Sequence, residues 1–395
     1  INCMRGVVLT AAEMGASERF SCVVLHDKDV LLGGVEDVTI NGTIDVINKL
    51  PKRPPAVLLF TVCVHHFLGC DLDYIYKKLS EAFPDIHFVR CFMDPIMQKE
   101  GPTPDQKLRI AMTDVLKDKK EEKDQVSVSL LGSNVLLEAD HDLKKLFADQ
   151  VVLKEASACK SFAEYEELGA SDLFISMVPN GKNAAKAAGE RLHKRYLHLS
   201  MSFDYAEIES AEKALINAVN EILAKKGMEQ IISPEFMEEE KLCEDALKAL
   251  KNLVGDIEIQ IDYTMHPRPL GLARFLLEHG FRVSRVYLNA VSGEEEEAFY
   301  WLKKHAPMLT LMGTIHPTAR IRDRFAGKDR KILALGQQAA WFSGSSYFVN
   351  MVEGGGLYGF AGIRKLCALM EEAFLYEKDT RDLVPRKGLG CDSCI

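Results

Sequence analysis

Several features that would place a chain at once are missing from these 395 residues. No apolar run approaches the ~20 residues that span a bilayer, and Ile1 to Ala12 has too little basic charge and too short an apolar core for a secretory signal. A surplus of positive charge is missing too: 49 Lys and Arg face 58 Asp and Glu, a net charge of −9. The lysines are interspersed with glutamates instead of forming the stripe that a phosphate backbone requires. Membrane and nucleic acid are therefore not expected as partners, and a cytoplasmic location is. There is no G-x-x-x-x-G-K-[ST], since Gly181-Lys182-Asn183 lacks both the preceding glycine and the hydroxyl that would meet magnesium. The chain shows no ATP-binding loop of its own. A disulfide framework is not expected either, because ten cysteines in a cytosolic chain of this size sit in a reducing compartment around a core that needs no staples. Most read as small buried hydrophobes, which leaves a minority at loop positions for chemistry.

What is present is an alternation of strand and helix patterns, implying βαβ units and parallel sheets. Strands are expected at Ser21–Leu25, Ala56–Val62, His87–Cys91, Val126–Leu131, Gln150–Leu153, Leu173–Val178, Tyr196–Leu199, Ile257–Ile261, Arg282–Leu288, Met308–Gly313 and Lys331–Leu335. Helices are expected at Val7–Met14, Val38–Leu50, Leu72–Phe83, Thr103–Lys117, Ala184–Lys194, Ala206–Lys226, Leu270–His279, Glu294–His305 and Gly359–Tyr376. The all-charged stretch Lys117 to Asp124 reads as a boundary. It divides an N-terminal α/β domain (1–125) from a middle one (126–255), followed by a C-terminal one (256–376) and a tail (377–395). Each is within the usual domain size. The acidic clusters Glu238–Glu240 and Glu294–Glu297 read as solvated helix faces.

The stretch Pro54 to Asp73, PPAVLLFTVCVHHFLGCDLD, concentrates the chemistry. Ala56–Val62 has the apolar run of a strand covered on both faces, and Cys63, His65, His66 and Cys70 fall in the turn after it. Ligands of open α/β sheets sit at such carboxyl ends, and a thiolate there can hold a metal or an iron–sulfur cluster. Cys63 also fits a core cysteine at a strand end, and at most one of the two histidines can face the same ion.

Other motifs leave alternatives open. Gly354, Gly356 and Gly359 fit G-x-G-x-x-G before a helix, but no βαβ unit can follow so near the end; a flexible loop offering backbone N–H groups to an anion fits better. Arg268, in His266-Pro267-Arg268-Pro269, follows a strand and either binds a carboxylate or phosphate or pairs with a neighbouring acid. His316 holds the equivalent position one unit later, as a substrate contact or a structural residue. Cys391-x-x-Cys394 is half of a metal knuckle or a redox dithiol, or simply part of a loosely ordered tail.

The order of the motifs carries more than any one of them. Cys3 before an apolar helix, then ERFSCVVLHDKDVLLGGVEDV, then VLLFTVC with six residues to CDLD, then GGGLYGFAGI before the last helix, resembles the component 1 family of nitrogenase-type oxidoreductases over essentially the whole chain. That family takes in nitrogenase subunits, their cofactor-assembly scaffold, dark protochlorophyllide and chlorophyllide reductases and nickel-sirohydrochlorin reductive cyclase. The resemblance implies three Rossmann-like domains with parallel sheets around a central cleft. It also implies a 4Fe–4S iron–sulfur cluster at a subunit interface, electrons from a separate ATP-dependent iron protein, and assembly as a homo- or heterodimer or tetramer. Cys3 resembles the family's first cluster cysteine and Cys63 its third, while the His-Gly-Pro-like segment that leads to the second has no counterpart between Gly15 and Ala16. Cys22 or Cys70 substitutes if the fold brings it close. Arg268, His316 and the glycines Gly355 and Gly356 then become candidate substrate contacts on the cleft walls. A non-catalytic scaffold for a metallocofactor or tetrapyrrole, and a cluster-free small-ligand binder, remain the alternatives.

Overall fold

The chain is described by a computed structural model that covers residues 12, 15–93, 101–120, 122–147, 150–314, 316 and 331–380. The expected helix Val7–Met14, Cys3 and the Cys391/Cys394 tail lie outside these residues, and nothing is concluded about them. Among the described residues no helix is long and apolar enough to cross a membrane.

Among the described residues three sheets, parallel in every pairing, are strung along the chain. The first is made of β1 (Ala56–Val62) and β2 (His87–Met93), paired from Ala56 opposite His87 to Val62 opposite Met93. The second contains β3 (Val126–Leu130), β4 (Val151–Glu155), β5 (Leu173–Ser176) and β6 (Arg195–His198) in the order β4-β3-β5-β6. The third contains β7 (Glu258–Asp262), β8 (Arg282–Leu288), β9 (Thr310–Gly313), β10 (Ile332–Leu335) and β11 (Phe348–Val349) in the order β11-β10-β7-β8-β9. The last two orders reverse direction within the sheet, between β3 and β5 and between β7 and β10. At such switch points the loops diverge and leave a crevice.

Local signals account for most elements. The helix Leu72–Ala82 is capped by Asp71, whose Oδ1 accepts from Tyr74 N at 2.9 Å, and it buries Ile75, Tyr76 and Leu79 on one face. Pro104–Ala111 begins with a reciprocal Thr103/Gln106 capping box. Gly42, inside the helix Val35–Lys49, is there for close approach: a Cβ on it would lie 2.6 Å from Val23 Cγ1. That contact also explains one departure. Ser21–Leu25 forms no strand, because it lies along this helix through Val23 without a pairing partner among the described residues. β1 departs as well, since it is not covered on both faces. Its sheet has only two strands among the described residues, and Leu58 is exposed.

The helix Phe236–Val254 was not foreseen, its start being masked by the run of glutamates. It buries Phe236, Cys243, Leu247, Leu250 and Val254 against the last helix, Gly359–Leu375. Cys243 Sγ donates to Phe360 O at 3.2 Å across that contact. The helix Gln337–Ser343 and the short β11 were also not foreseen. The main core runs from Phe203 and Ile208 through β7, β8 and β10 to Phe360 and Met370, so the closing helix belongs to the third sheet.

Candidate functional site

At the cysteine corner, β1 delivers Cys63 into a single helical turn, Cys63–Phe67, and Gly69, at φ +66°, reverses the chain. Cys70 N donates to His65 O at 2.9 Å, which closes the turn. Cys63 is half-buried and its Sγ lies 3.6 Å from Met93 O at the end of β2, where the register sets Val62 opposite Met93. His65 is buried: its Nε2 is 3.3 Å from Thr39 Oγ1 and its Nδ1 faces Val62 N and O at 3.3 and 3.2 Å. Burial lowers its pKa, so it is a neutral brace for the turn. The ring of His66 stands edge-on to Phe92. Cys70 is half-buried, and burial, then the charge of Glu36, pushes its thiol up. Cys22 is exposed on the segment along Val35–Lys49.

The donor chemistry suits a soft metal: Cys63 and Cys70 are thiols seven positions apart in one tight turn. They do not make a complete site, because no group of three His, Cys, Asp or Glu side chains among the described residues is placed to hold a metal ion. Around the corner exposed apolar side chains stand beside the exposed Asp71 and Asp73. Leu31 and Leu32, each 84% exposed, precede the helix whose Glu36 accepts from Asp71 N, and Phe67 and Leu68 are exposed within the turn itself.

Between the second and third sheets lies a polar seam that holds Arg268. The guanidinium is buried: Nη1 donates to Glu207 Oε2 at 2.6 Å and to Ser200 Oγ at 3.2 Å, and Nη2 to Glu294 O at 3.0 Å. Of the two possibilities for Arg268, pairing with a neighbouring acid is the one present. Glu294 bonds His198 Nε2 at 3.0 Å and accepts from Ser200 Oγ at 2.8 Å; burial opposes its charge, but these bonds and the nearby Lys182 hold its carboxyl down at about 2. Glu295 is 2% exposed and accepts from Leu270 N and Gly271 N at 2.6 and 3.0 Å, capping the helix Pro269–Glu278, with its pKa pushed up to about 7 by burial. The expectation that Glu294–Glu297 form a solvated face is thus wrong for its first two members. An anion was needed at the start of the helix that follows the neighbouring strand β7, which no local pattern reveals.

The glycine segment meets this seam. Gly354, Gly355, Gly356 and Gly359 all have positive φ, between +59° and +77°. A Cβ on Gly356 would be driven into the carbonyl of Leu136, so only glycine permits that approach. The segment is not a free loop awaiting an anion: Glu353 N and Gly354 N donate to Thr264 O and Met265 O at 2.9 and 2.7 Å, and Gly355 N to Val352 O. The start of the last helix is served by Asp142, whose Oδ2 accepts from Ala361 N at 2.9 Å. Beside it lies Glu212, 3% exposed, with Oε1 lacking a hydrogen-bond partner among the described residues. A Cβ on Gly359 would sit 2.6 Å from Asp142 Oδ2 and 2.9 Å from Glu212 Oε1, so the two carboxyls converge. Burial, then the charges of Asp142 and Glu239, pushes Glu212 up to about 8.

His316 is exposed and follows the edge strand β9, two strands from β7, which is about 10 Å by strand spacing. The fold therefore gathers Arg268 with Gly354 to Gly356 near the end of β7, and leaves His316 apart. Beside His266 a cavity of about 10 Å³, lined also by Met201, Phe203, Met351, Leu357 and Tyr358, has room for about one water. Burial, then the Arg268 charge, lowers His266 to about 3.

One theme was not legible in the sequence: the chain fills its own anion positions. Asp262, fully buried at the third sheet's switch point, accepts from Thr264 N, Met265 N and Ala339 N, the last at the start of Gln337–Ser343. Asp142 and Glu295 do the same for two other helices. Arg109, Glu353 and Asn134, discussed below, were also missed. The only sequence signal for Arg109 was a basic residue on the buried face of a capped helix.

Comparison with known proteins agrees with this architecture. The family model for nitrogenase component 1 type oxidoreductases matches residues 6–323. Among solved structures, nitrogenase Cp1 at pH 6.5 is similar at 13% identity over 89% of this chain and 81% of that chain, with a TM-score of 0.59. Nitrogenase Cp1 at pH 5 is similar at 12% identity over 91% of this chain and 78% of that chain, with a TM-score of 0.54. No curated protein sequence matches. With the family model spanning most of its length and this fold shared at low identity, the chain belongs to the nitrogenase component 1 type oxidoreductase family.

Proposed function

We propose that this chain is the electron-accepting subunit of a nitrogenase-like reductase. The corner of Cys63 and Cys70, completed by Cys3 and by a second component 1-type subunit, holds an iron–sulfur cluster. A separate ATP-dependent iron protein supplies the electrons, and substrate is reduced between the second and third sheets near Arg268 and Gly355–Gly356. When bound, the cluster supplies a low-potential one-electron carrier.

The observation that carries the proposal is the half-buried Cys63, fixed at a strand end in a turn that exposes Phe67 and Leu68. Exposed apolar side chains beside a thiol suit a shared, water-excluding interface. The chain's own residues prepare the corner. The β1–β2 register fixes Cys63, and the neutral His65 braces the turn from below through Thr39. Met93 O accepts from the Cys63 thiol, which must give up this proton before it can ligate.

The closed seam favours a second reading, a non-catalytic scaffold that binds and hands on a metallocofactor or tetrapyrrole. A cavity of about 10 Å³ admits no substrate as it stands, so a reductase must open there. Mixing the anaerobically purified chain with an iron protein and ATP separates the two. Repeated bleaching and recovery of cluster absorbance supports the reductase. A cluster that never changes redox state under these conditions leaves the scaffold.

A further inference from the structure

The second sheet reverses direction between β3 and β5, and the crevice beyond these strands is where an open α/β sheet offers a ligand site. Two glycines make it: Gly132 after β3 and Gly181 after β5 approach so closely that a Cβ on Gly181 would lie 2.6 Å from Gly132 O. Into it reaches Arg109, from the helix Pro104–Ala111, with only 6% of its side chain exposed. Its Nε donates to Asp105 Oδ2 at 2.9 Å, and Asp105 is held in turn by Asn180 Nδ2 at 2.9 Å. Its Nη1 donates to Gly132 O. Its Nη2 donates at 2.5 Å to Glu353 Oε1, which also accepts from Asn134 Nδ2 at 3.2 Å.

Glu353 is an awkward occupant. Its backbone is left-handed, at φ +48°, a conformation that residues with a Cβ rarely adopt. One carboxylate oxygen takes both donors while the other, Oε2, is buried with no partner among the described residues. The side chain is nonetheless 30% exposed, so a rotamer change releases it to solvent without moving the backbone that Thr264 O holds. A guanidinium edge beside an amide donor, in a switch-point crevice, is a recognition site for a planar carboxylate.

We propose that this crevice binds a small carboxylate-bearing ligand, and that Glu353 occupies it as an intramolecular stand-in that the ligand displaces. Displacement, rather than addition, is required by charge. Arg109 faces both Asp105 and Glu353, so a further anion enters only as Glu353 leaves. The inference is independent of the cluster, and its test reads binding alone.

The test is calorimetric titration of the full chain with glutarate, with glutaramide and inorganic phosphate as controls. Glutarate is expected to bind the wild type, to bind Glu353→Ala at least ten-fold more tightly, and to bind Asn134→Ala several-fold more weakly at unchanged thermal stability. Adding Arg109→Gln to Glu353→Ala is expected to abolish binding. Binding to Glu353→Ala but not to the wild type would make Arg109–Glu353 a permanent structural pair and overturn the proposal. So would equal binding of glutaramide or phosphate, or an Asn134→Ala variant that binds like the wild type.

Discussion

Replacing Glu212 with glutamine tests whether the carboxyls at the start of the last helix share one proton. Glu212 is 3% exposed and converges with Asp142 beside Gly359. Glu239 adds negative charge, while Arg364 is engaged with Glu239 at 2.5 Å. Tyr358 Oη and His141 Nε2 lie buried without hydrogen-bond partners among the described residues, and the Tyr358 and His141 rings stack at 5.6 Å. A carboxyl moved from 4.5 to about 8 stays protonated in the folded chain while it is ionised in the unfolded one. The folded state then binds more protons, so stability is lost as pH rises from 4.5 towards 8 and is level above that. At about 1.4 kcal/mol per pH unit the full loss is roughly 5 kcal/mol. Glutamine mimics the protonated acid and escapes it. Urea unfolding of wild type and Glu212→Gln at pH 5.5, 7 and 8.5 is expected to show the variant gaining on the wild type at each step. A difference that stays constant across this range would refute a buried, proton-holding Glu212.

Two further perturbations address the seam. Gly356→Ala must adopt positive φ and also collide with the rigid Leu136 carbonyl, whereas Gly355→Ala shares the φ but meets the flexible Met351 side chain. Each pays about 1–2 kcal/mol for the backbone, and Gly356→Ala is expected to cost at least about 1 kcal/mol more, read from denaturant midpoints. Arg268→Ala leaves the half-exposed Glu207 carboxylate and the Glu294 carbonyl without their donor and is expected to cost about 2 kcal/mol. Arg268→Lys is expected to recover less than half of that, because an ammonium cannot serve acceptors on two sides at once; full recovery would show that charge alone matters.

The strands were legible because a parallel sheet writes itself as short apolar runs between turn residues. Arg282–Leu288 and Ala56–Val62 emerge with the expected limits. Ser21–Leu25 has the same composition but no strand beside it among the described residues, and pairing, rather than propensity, decides such short segments. Phe236–Val254 was hidden by its leading glutamates, although its buried positions repeat at helical spacing. The candidate site was legible only in part. Cys63 and Cys70 are neighbours in sequence, so one turn presents both, whereas the partners of Arg268 come from Ser200, Glu207 and Glu294, brought together by tertiary packing alone. The glycine triplet announced a special backbone, but not that its N–H groups are already spent on Met265 and Val352.

The proposed electron-accepting role depends on the thiol corner. Iron and acid-labile sulfide per chain, measured on anaerobically purified wild type and on Cys63→Ser, test it most directly. Both elements are expected in the wild type, with the matching visible absorbance, and are expected to be lost in a Cys63→Ser variant that still unfolds cooperatively. A colourless, iron-free wild type, or a Cys63→Ser variant that keeps its iron and sulfide, would contradict it.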